Sequence, residues 1–297
     1  MHLFFRLAAL GAAAAFLWPR PAGASASFSV SPARIEFQAP PGGEDTGTAR
    51  VRNLGPHPLS FTVTTGDWMP DPQGRPEFHP PGTVRFGAGG WLEVEPRSFT
   101  LDPEESREVR IKVTVPGGEP GGGYQGAVFF SARAGEPAGE EGKVLHVQGR
   151  IAILVYVTVG SAEDLVVEGR AGPIETYPSS RLVLSYPLTF RVPFENRGNV
   201  HLTVGGEVEV RSWNGRSYGR VTLEPRVVPR NSRIFLTGTF WGPPLGYLEP
   251  EGKVRFGDRT QRVSGSSLVA LTWPTILALG LILAGALVLA GARDRRR

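Results

Sequence analysis

The chain has 297 residues, of which 39 are glycine and 27 are proline, and it contains no cysteine. With 20% charged and 40% apolar residues, the composition excludes a disordered polyelectrolyte and allows a packed core. The lack of cysteine excludes disulfides, thiolate nucleophiles and cysteine-ligated metals. Such a high content of glycine and proline favours many short strands joined by tight turns over long helices.

Residues 1–26 predict a secretory signal peptide. Arg6 precedes an apolar run over residues 7–18, and the segment ends in Ala24, Ser25 and Ala26. A charged start, a short apolar run and small residues at the end are typical of a cleaved signal, with cleavage after Ala26. An uncleaved anchor is the alternative, but the run is too short to span a bilayer comfortably.

Residues 27–161 show the alternation of apolar and polar side chains that is typical of half-buried strands. This pattern covers residues 59–64, residues 109–115 and, over a longer stretch, residues 144–159. Residues 126–132 (GAVFFSA) are apolar on both faces, as expected of an interior strand. Turn clusters rich in proline and glycine separate these runs, so we predict one immunoglobulin-like β-sandwich here.

A second series of short strands follows in residues 162–265. The candidate strands are residues 165–167, 182–195, 200–211, 218–223, 233–240 and 253–256. The sequence Trp213-Asn214-Gly215-Arg216 predicts a hairpin turn between two of them. No stretch outside the two termini keeps a helical period. We therefore predict an all-β protein with two tandem antiparallel, immunoglobulin-like β-sandwiches.

Residues 268–292 contain no charged side chain and predict a single transmembrane helix. At about 1.5 Å per residue, this run is long enough for a hydrocarbon core about 30 Å thick. The arginine-rich residues 293–297 predict a short cytoplasmic tail, which places the preceding domains outside the cytoplasm, in a periplasm or at the cell surface. The alternative is a core helix of a soluble domain.

The net charge of +4 arises from the two ends of the chain. Without the signal peptide and the terminal arginines, residues 27–267 carry a net charge of −1. No basic stripe with interleaved aromatic residues remains, so nucleic-acid binding is not expected.

The motifs that carry chemistry are weak. Residues 121–126 match G-x-G-x-x-G, but a strand follows them rather than a helix, so a hairpin turn is favoured over a dinucleotide site. The histidines are isolated in sequence. Asp67, Asp71, Glu77 and His79 could form a cation site, although a polar turn is the preferred interpretation. We predict no catalytic residues, no metal and no cofactor, and hence no enzyme.

Five stretches resemble known bacterial proteins. They are residues 30–37 (VSPARIEF), 91–96 (WLEVEP), 99–109 (FTLDPEESREV), 122–130 (GGYQGAVFF) and 194–202 (FENRGNVHL). The first domain is similar to the N-terminal immunoglobulin-like domain of periplasmic pilus-assembly chaperones. Over residues 27–260 the chain resembles more closely cell-surface proteins whose tandem domains bind peptidoglycan and dock WxL-type proteins. Because these motifs are mostly structural, the resemblance implies a fold more strongly than a function.

The likeness to the chaperones implies one specific site. In that family, an arginine on the first strand and a basic residue on the last strand of the first domain hold the terminal carboxylate of a client protein. Arg34 and Arg150 match these positions, and two guanidinium groups would bind a carboxylate strongly. The alternative is that both residues pair with local acidic groups. The predicted membrane anchor departs from the chaperone pattern, which puts the shuttling of clients in doubt.

Three functions follow as hypotheses. The first is a membrane-anchored adaptor that binds a cell-wall polymer or another exported or surface protein through its β-sandwiches. The second is an anchored chaperone that assembles an exported, pilin-like subunit by strand addition. The third is a structural accessory subunit of a membrane complex.

Overall fold

The computed structural model describes residues 27–134 and 148–294, which form two β-sandwiches followed by one α-helix. The predicted signal peptide, residues 144–147 of the long predicted strand and the last three arginines lie outside the described residues. The strands of the first sandwich are β1 (Phe28–Ser31), β2 (Arg34–Ala39), β3 (Glu44–Asn53), β4 (Leu59–Pro70), β5 (Pro76–His79), β6 (Leu92–Glu95), β7 (Ser98–Leu101), β8 (Ser106–Thr114), β9 (Gly122–Ala134) and β10 (Gln148–Val159).

These strands form two facing sheets. One has the order β1-β3-β8-β6, and the other has the order β2-β10-β9-β4-β5, with β7 also paired to β4. Val109, Ile111 and Val113 of β8 are fully buried between the sheets, which confirms the alternation predicted from the sequence. Phe61 and Phe130 are the largest fully buried side chains of this core.

The first two strands of the first sandwich belong to different sheets. β1 pairs with β3 antiparallel, and after Pro32 and Ala33 the chain crosses to the other sheet, where β2 pairs with β10 in parallel. The prediction of purely antiparallel sandwiches was therefore wrong at this edge. Side-chain alternation specifies which face of a strand is buried, but it does not specify the direction of the neighbouring strand.

The second sandwich has the same two-layer design. Its strands are β11 (Gly169–Ala171), β12 (Glu175–Tyr177), β13 (Leu182–Val183), β14 (Leu188–Asn196), β15 (Leu202–Arg211), β16 (Ser217–Val228), β17 (Arg233–Phe240), β18 (Leu245–Phe256), β19 (Arg259–Ser264) and β20 (Leu268–Leu271). One sheet joins β11, β12 and β17 to β14, and the other has the order β13-β20-β18-β15-β16, with β19 paired to β18. Phe190, Phe194 and Leu236 lie in the buried core between them.

Several strand predictions for the second sandwich need correction. Residues 165–167 form no strand; Leu165 and Val167 are partly buried against the core, while the Val166 N–H donates to Asn199 Oδ1 at 2.7 Å. The run over residues 182–195 is divided into β13 and β14, and Pro187, which has no N–H for a ladder, precedes β14. The predicted turn at Trp213–Arg216 does join β15 to β16.

Each sandwich contains a buried asparagine with the same role. Asn53 Nδ2 donates to the carbonyls of His57 at 2.8 Å and Leu101 at 3.1 Å, and its Oδ1 accepts the Gly55 N–H at 2.9 Å. Asn196 Nδ2 donates to the carbonyls of Val200, Val228 and Pro229, and its Oδ1 accepts the Gly198 N–H at 3.0 Å. In both domains a buried asparagine side chain thus forms hydrogen bonds with the backbone groups of an Asn-x-Gly turn and its neighbours.

The C-terminal helix begins later than predicted. Residues 268–271 form β20, which pairs with β18 antiparallel and with β13 in parallel, so the second sandwich extends beyond residue 265. The helix α1 spans Trp273–Asp294. An apolar run cannot by its composition distinguish a buried strand from a membrane helix. The side chains of α1 over Trp273–Ala290 are not buried by the protein, and this segment is long and apolar enough to cross a membrane.

Candidate functional site

One edge of β10 is only half covered. β9 pairs with β10 along its whole length, from Gln148 to Val159, whereas β2 pairs only with Leu154 to Val159. Among the described residues, no strand pairs with the other half of this edge, because β1 lies in the opposite sheet against β3. We call the segment from Gln148 to Ile153 the open edge of β10.

The direction of the backbone groups at the open edge follows from the neighbouring hydrogen bonds. The Leu154 N–H donates to the Ala33 carbonyl at 3.1 Å, so even-numbered residues of β10 point their N–H groups toward the β2 side. Successive backbone groups of a strand point to opposite sides. The N–H and C=O groups of Arg150 and Ala152 therefore point away from β9, in the plane of the sheet, where an added strand could form hydrogen bonds with them.

The core-facing side chains of β10 are less completely covered at the open edge than where β2 is paired. Val155 and Val157 have strand neighbours on both sides and are fully buried in the core. Of the core-facing residues at the open edge, Ile153 is still fully buried, and Ile151, farther from β2, is only half-buried. An added strand would thus gain backbone hydrogen bonds and would also cover an apolar side chain.

Arg34 lies on β2, opposite Leu154, close to the second sandwich. Its Nε is 3.4 Å from Glu36 Oε1, and both side chains are about half exposed. Such an exposed ion pair contributes little to stability, so the guanidinium can exchange this partner for another anion at low cost.

Arg150 lies on the same face of the sheet as Arg34, because the register pairs Arg34 with Leu154 and side chains alternate between the faces. Leu154 and Arg150 are four positions apart on β10, which corresponds to a distance of about 13 Å along a strand. The Arg150 guanidinium stacks on the Phe129 ring at 3.8 Å. The structure therefore places the two predicted residues on one surface, each with a different neighbour.

The outer face of this sheet is apolar where it meets the second sandwich. Trp68, Phe129 and Tyr156 are buried there, and Val227 of β16 packs against them. The rings of Trp68 and Tyr156 are 5.4 Å apart, edge to face, and Tyr156 lies 5.0 Å from the ring of His201. The prediction that residues 126–132 are apolar on both faces is confirmed, because one face meets the core and the other meets the second domain.

Backbone contacts join the two domains at the glycines around the start of β9. The Gly123 N–H donates to the Asn199 carbonyl at 2.6 Å, and Asn199 Nδ2 donates to the Gly121 carbonyl at 3.2 Å. A Cβ on Gly123 would lie 2.9 Å from the backbone nitrogen of His201. Residues 122–126 of the G-x-G-x-x-G match belong to β9 itself, at the domain junction, so the prediction of a hairpin turn there was wrong. No sequence pattern indicated the role of Asn199.

Arginines of the second sandwich complete the junction. The Arg230 guanidinium stacks on Phe86 at 3.9 Å, and Arg226 Nη1 donates to the Gln73 carbonyl at 2.9 Å. A cavity of about 390 Å³ lies beside Arg230, and Gln125 and His79 also line it. These contacts add loop segments of the first domain to the junction with the second domain. Nothing in the sequence distinguishes Arg230 from the other arginines.

The acidic residues of the possible cation site have other partners. Asp67 is buried and accepts the N–H groups of Thr83, Val84 and Gly89 at 2.7–3.3 Å. Asp71 accepts the N–H groups of Gln73 and Arg75 and pairs with the Arg75 guanidinium, as expected of a polar turn. Within residues 27–134 and 148–294, no group of acidic and histidine side chains is arranged to hold a metal ion.

His201 is a partly buried ionisable group at the domain junction. Burial lowers the pKa of His201; the Arg34 charge adds to this effect and the Glu36 charge opposes it. The ring packs on Tyr156, whose pKa is raised by burial. The folded state therefore favours the neutral imidazole over the imidazolium. The stability gained from burying the neutral ring is fully present above the ordinary pKa of about 6.5 and is lost as the pH falls below it.

We expect the melting temperature to fall between about pH 7.5 and pH 5, near the ordinary titration range of histidine. In His201→Gln this part of the decrease should disappear, while His57→Gln, at an exposed loop position, should retain it. Melting followed by circular dichroism over this range measures the difference. Equal pH dependence in His201→Gln and in the unmodified chain would contradict the assignment.

The comparisons with known proteins give structural similarity only. No family model matches the chain, and no curated protein matches it. Several of the similar solved structures are chaperones of fimbriae or pili, the kind of protein that the first-domain motifs resemble. They include the class 5 fimbriae chaperone CfaA (14% identity, 81% of this chain and 99% of that chain, TM-score 0.42) and the CupB2 chaperone of Pseudomonas aeruginosa (13%, 80% and 100%, TM-score 0.41).

A third similar structure is the SafB chaperone of Salmonella enterica, in complex with the SafA pilin (13% identity, 82% of this chain and 95% of that chain, TM-score 0.39). Identities and TM-scores this low carry no argument about what this chain binds. Its fold is established by its own strand pairings, and its function has to be inferred from its own surfaces.

Proposed function

We propose that the chain is a non-enzymatic, membrane-anchored envelope protein that binds another exported protein by adding a strand to the open edge of β10. The observation that carries this proposal is that, within residues 27–134 and 148–294, no strand pairs with the outward backbone groups of Arg150 and Ala152, beside the half-buried Ile151. Strand addition gains affinity from backbone hydrogen bonds and specificity from the side chains that alternate along the strand. Holding an exported β-rich subunit during its assembly is the specific form of this function.

The helix α1 supports anchoring in a membrane. Its 22 residues span about 33 Å at 1.5 Å per residue, enough for a bilayer core. With Arg293 at its end and further arginines after it, the positive-inside rule places the tail in the cytoplasm and both sandwiches outside it. The open edge of β10 would then face proteins that have crossed this membrane.

The absence of cysteine allows a direct test by site-specific cross-linking in the full-length protein. A photoreactive benzophenone attached to Ala152→Cys should give adducts with an exported protein in intact envelopes. The control is Arg110→Cys, on an exposed position of β8, whose two edges are both paired. Adducts of equal amount and pattern from both positions, or none from Ala152→Cys, would contradict the proposal.

Arg34 and Arg150 remain the proposed residues for a carboxylate of the partner. Their shared face, beside the open edge, supports this assignment. We expect Arg34→Glu with Arg150→Glu to reduce adducts from Ala152→Cys at least about tenfold, since charged hydrogen bonds contribute about 1.5–3 kcal/mol each. The matched control is Arg107→Glu with Arg110→Glu; both positions are exposed, and Arg107 also lies near an aromatic ring, that of Phe99. Equal losses in the two double variants would reject a carboxylate site.

Binding of a cell-wall polymer and a role as an accessory subunit remain predictions. The open edge favours an exported protein over a polysaccharide, because a polysaccharide has no β-strand to add. Co-sedimentation of the full-length protein, in detergent, with purified sacculi tests the polymer alternative. Binding to sacculi that is unaffected by Ala152→Pro would favour the polymer.

A further inference from the structure

One end of the second sandwich exposes several large apolar side chains. Trp213, Trp241 and Trp273 are 76%, 70% and 60% exposed, and Leu245 is 57% exposed. We call these four residues the tryptophan end. Single exposed apolar residues are normal, but a group of tryptophans on one end of a domain indicates an interaction surface.

The strand order brings these residues together. β15 ends at Arg211, two residues before Trp213, and β17 ends at Phe240, immediately before Trp241. β18 begins at Leu245, which pairs with Leu271 at the end of β20. Trp273, the first residue of α1, follows after one further residue. The end of the domain that carries the tryptophans is thus the end from which the helix leaves.

Hydrogen bonds attach the start of the helix to the same end of the sandwich. The Thr272 N–H donates to the Pro244 carbonyl at 2.9 Å, and the Trp273 N–H donates to the Leu184 carbonyl at 3.0 Å. The Thr275 hydroxyl lies 3.3 Å from the Pro244 carbonyl. Since no free linker separates β20 from α1, the sandwich cannot move far from the plane in which the helix enters a bilayer.

Hydrogen bonds also hold the two segments that carry Trp213 and Trp241. The Tyr218 hydroxyl lies 3.2 Å from the Ser212 hydroxyl, next to Trp213. The Tyr186 hydroxyl donates to the Pro243 carbonyl at 3.0 Å, two residues after Trp241. Both rings are therefore presented to solvent by ordered segments.

We propose that Trp213 and Trp241, together with Trp273, lie in the headgroup region of the bilayer that α1 enters, so that the second sandwich rests on the membrane surface. This inference depends on the membrane anchoring in the proposed function. Tryptophan favours this region because its ring is apolar while its N–H can still bind water or headgroups. The bilayer is the occupant that the position favours, because the tryptophan end is continuous with the membrane-spanning helix.

The test uses the full chain in vesicles of phosphatidylcholine with or without brominated acyl chains, which quench tryptophan at short range. Trp18, Trp68 and Trp91 stay in all variants, so their emission is part of the background; Trp68 is buried and Trp91 is partly buried. Among the three exposed tryptophans, each variant keeps one and has phenylalanine at the other two. A fourth variant, with phenylalanine at all three, gives the background. These exposed substitutions should leave the fold intact.

We expect brominated lipid to quench the Trp213 and Trp241 emission, above background, at least half as strongly as that of Trp273. If Trp273 is quenched while Trp213 and Trp241 stay at background, the chain is anchored but the sandwich does not rest on the bilayer, and this inference is overturned. The same result is expected if the tryptophan end is the binding surface for a partner protein rather than for the bilayer. If Trp273 also stays at background, both the anchoring and this inference fail.

Discussion

Asn196→Asp should destabilise the second sandwich by about 3 to 5 kcal/mol, the range measured when a buried charge loses its compensation. The side-chain amide donates to three carbonyl oxygens, at 2.8–3.1 Å, and the residue is buried. A carboxylate of the same shape would place a negative charge against those oxygens and could donate nothing at neutral pH. For a domain of this size the melting temperature should fall by roughly 10 °C or more.

Asn214→Asp is the matched control for this prediction. It makes the same change of charge in the exposed turn between β15 and β16, where the Asn214 Oδ1 accepts the Arg216 N–H. Its effect should stay within about 0.5 kcal/mol. Calorimetry of the full chain in detergent measures both variants, and equal small shifts would show that Asn196 does not have the stabilising role assigned to it.

Ala152→Pro should reduce the binding of an exported partner about tenfold or more, while the fold survives. Proline removes the N–H that points out of the open edge and places a ring where an added strand would lie. A hydrogen bond contributes about 0.5–1.5 kcal/mol net, and the steric block adds to this loss. The ladder to β9 is formed by the odd-numbered residues of β10, so proline is tolerated here as it is on other strand edges.

The measurement for this prediction is the yield of cross-links from Gln148→Cys carrying the benzophenone, a position on the open edge that leaves Arg34 and Arg150 in place. Ala152→Val, which keeps the N–H, is the control and should retain the adducts. The melting temperature should change by only a few degrees in either variant, consistent with a loss of less than about 1 kcal/mol. Retained binding in the proline variant would exclude strand addition at this edge.

Much of the fold could be predicted from the sequence, because alternation reports directly on burial. Val109, Ile111 and Val113 alternate with Arg110 and Lys112, and the structure buries the apolar set. The end of the second sandwich was placed too early, because Leu268–Leu271 is as apolar as the helix that follows. Only its pairing with β18 identifies it as a strand.

The candidate site could be predicted only in part. Arg34 was expected on the first strand and lies on the second, β2, while Arg150 lies on β10, the last strand of the first domain. The open edge depends on where β2 begins to pair with β10, which no local pattern encodes. The domain junction depends on contacts between residues far apart in sequence, such as Gly123 with Asn199. One signal could have been found: Asn53 and Asn196 each begin an Asn-x-Gly sequence at the end of a strand.

The most direct test of strand addition is to map where two neighbouring probes react on the partner. In the full-length protein, benzophenones attached to Gln148→Cys and Ala152→Cys, which leave Arg34 and Arg150 in place, would be cross-linked separately, and the adducts located by mass spectrometry. A strand added along β10 places successive same-face residues two positions apart. We predict adducts four residues apart in one extended segment of a single exported protein. Adducts in unrelated segments or on unrelated proteins would contradict it.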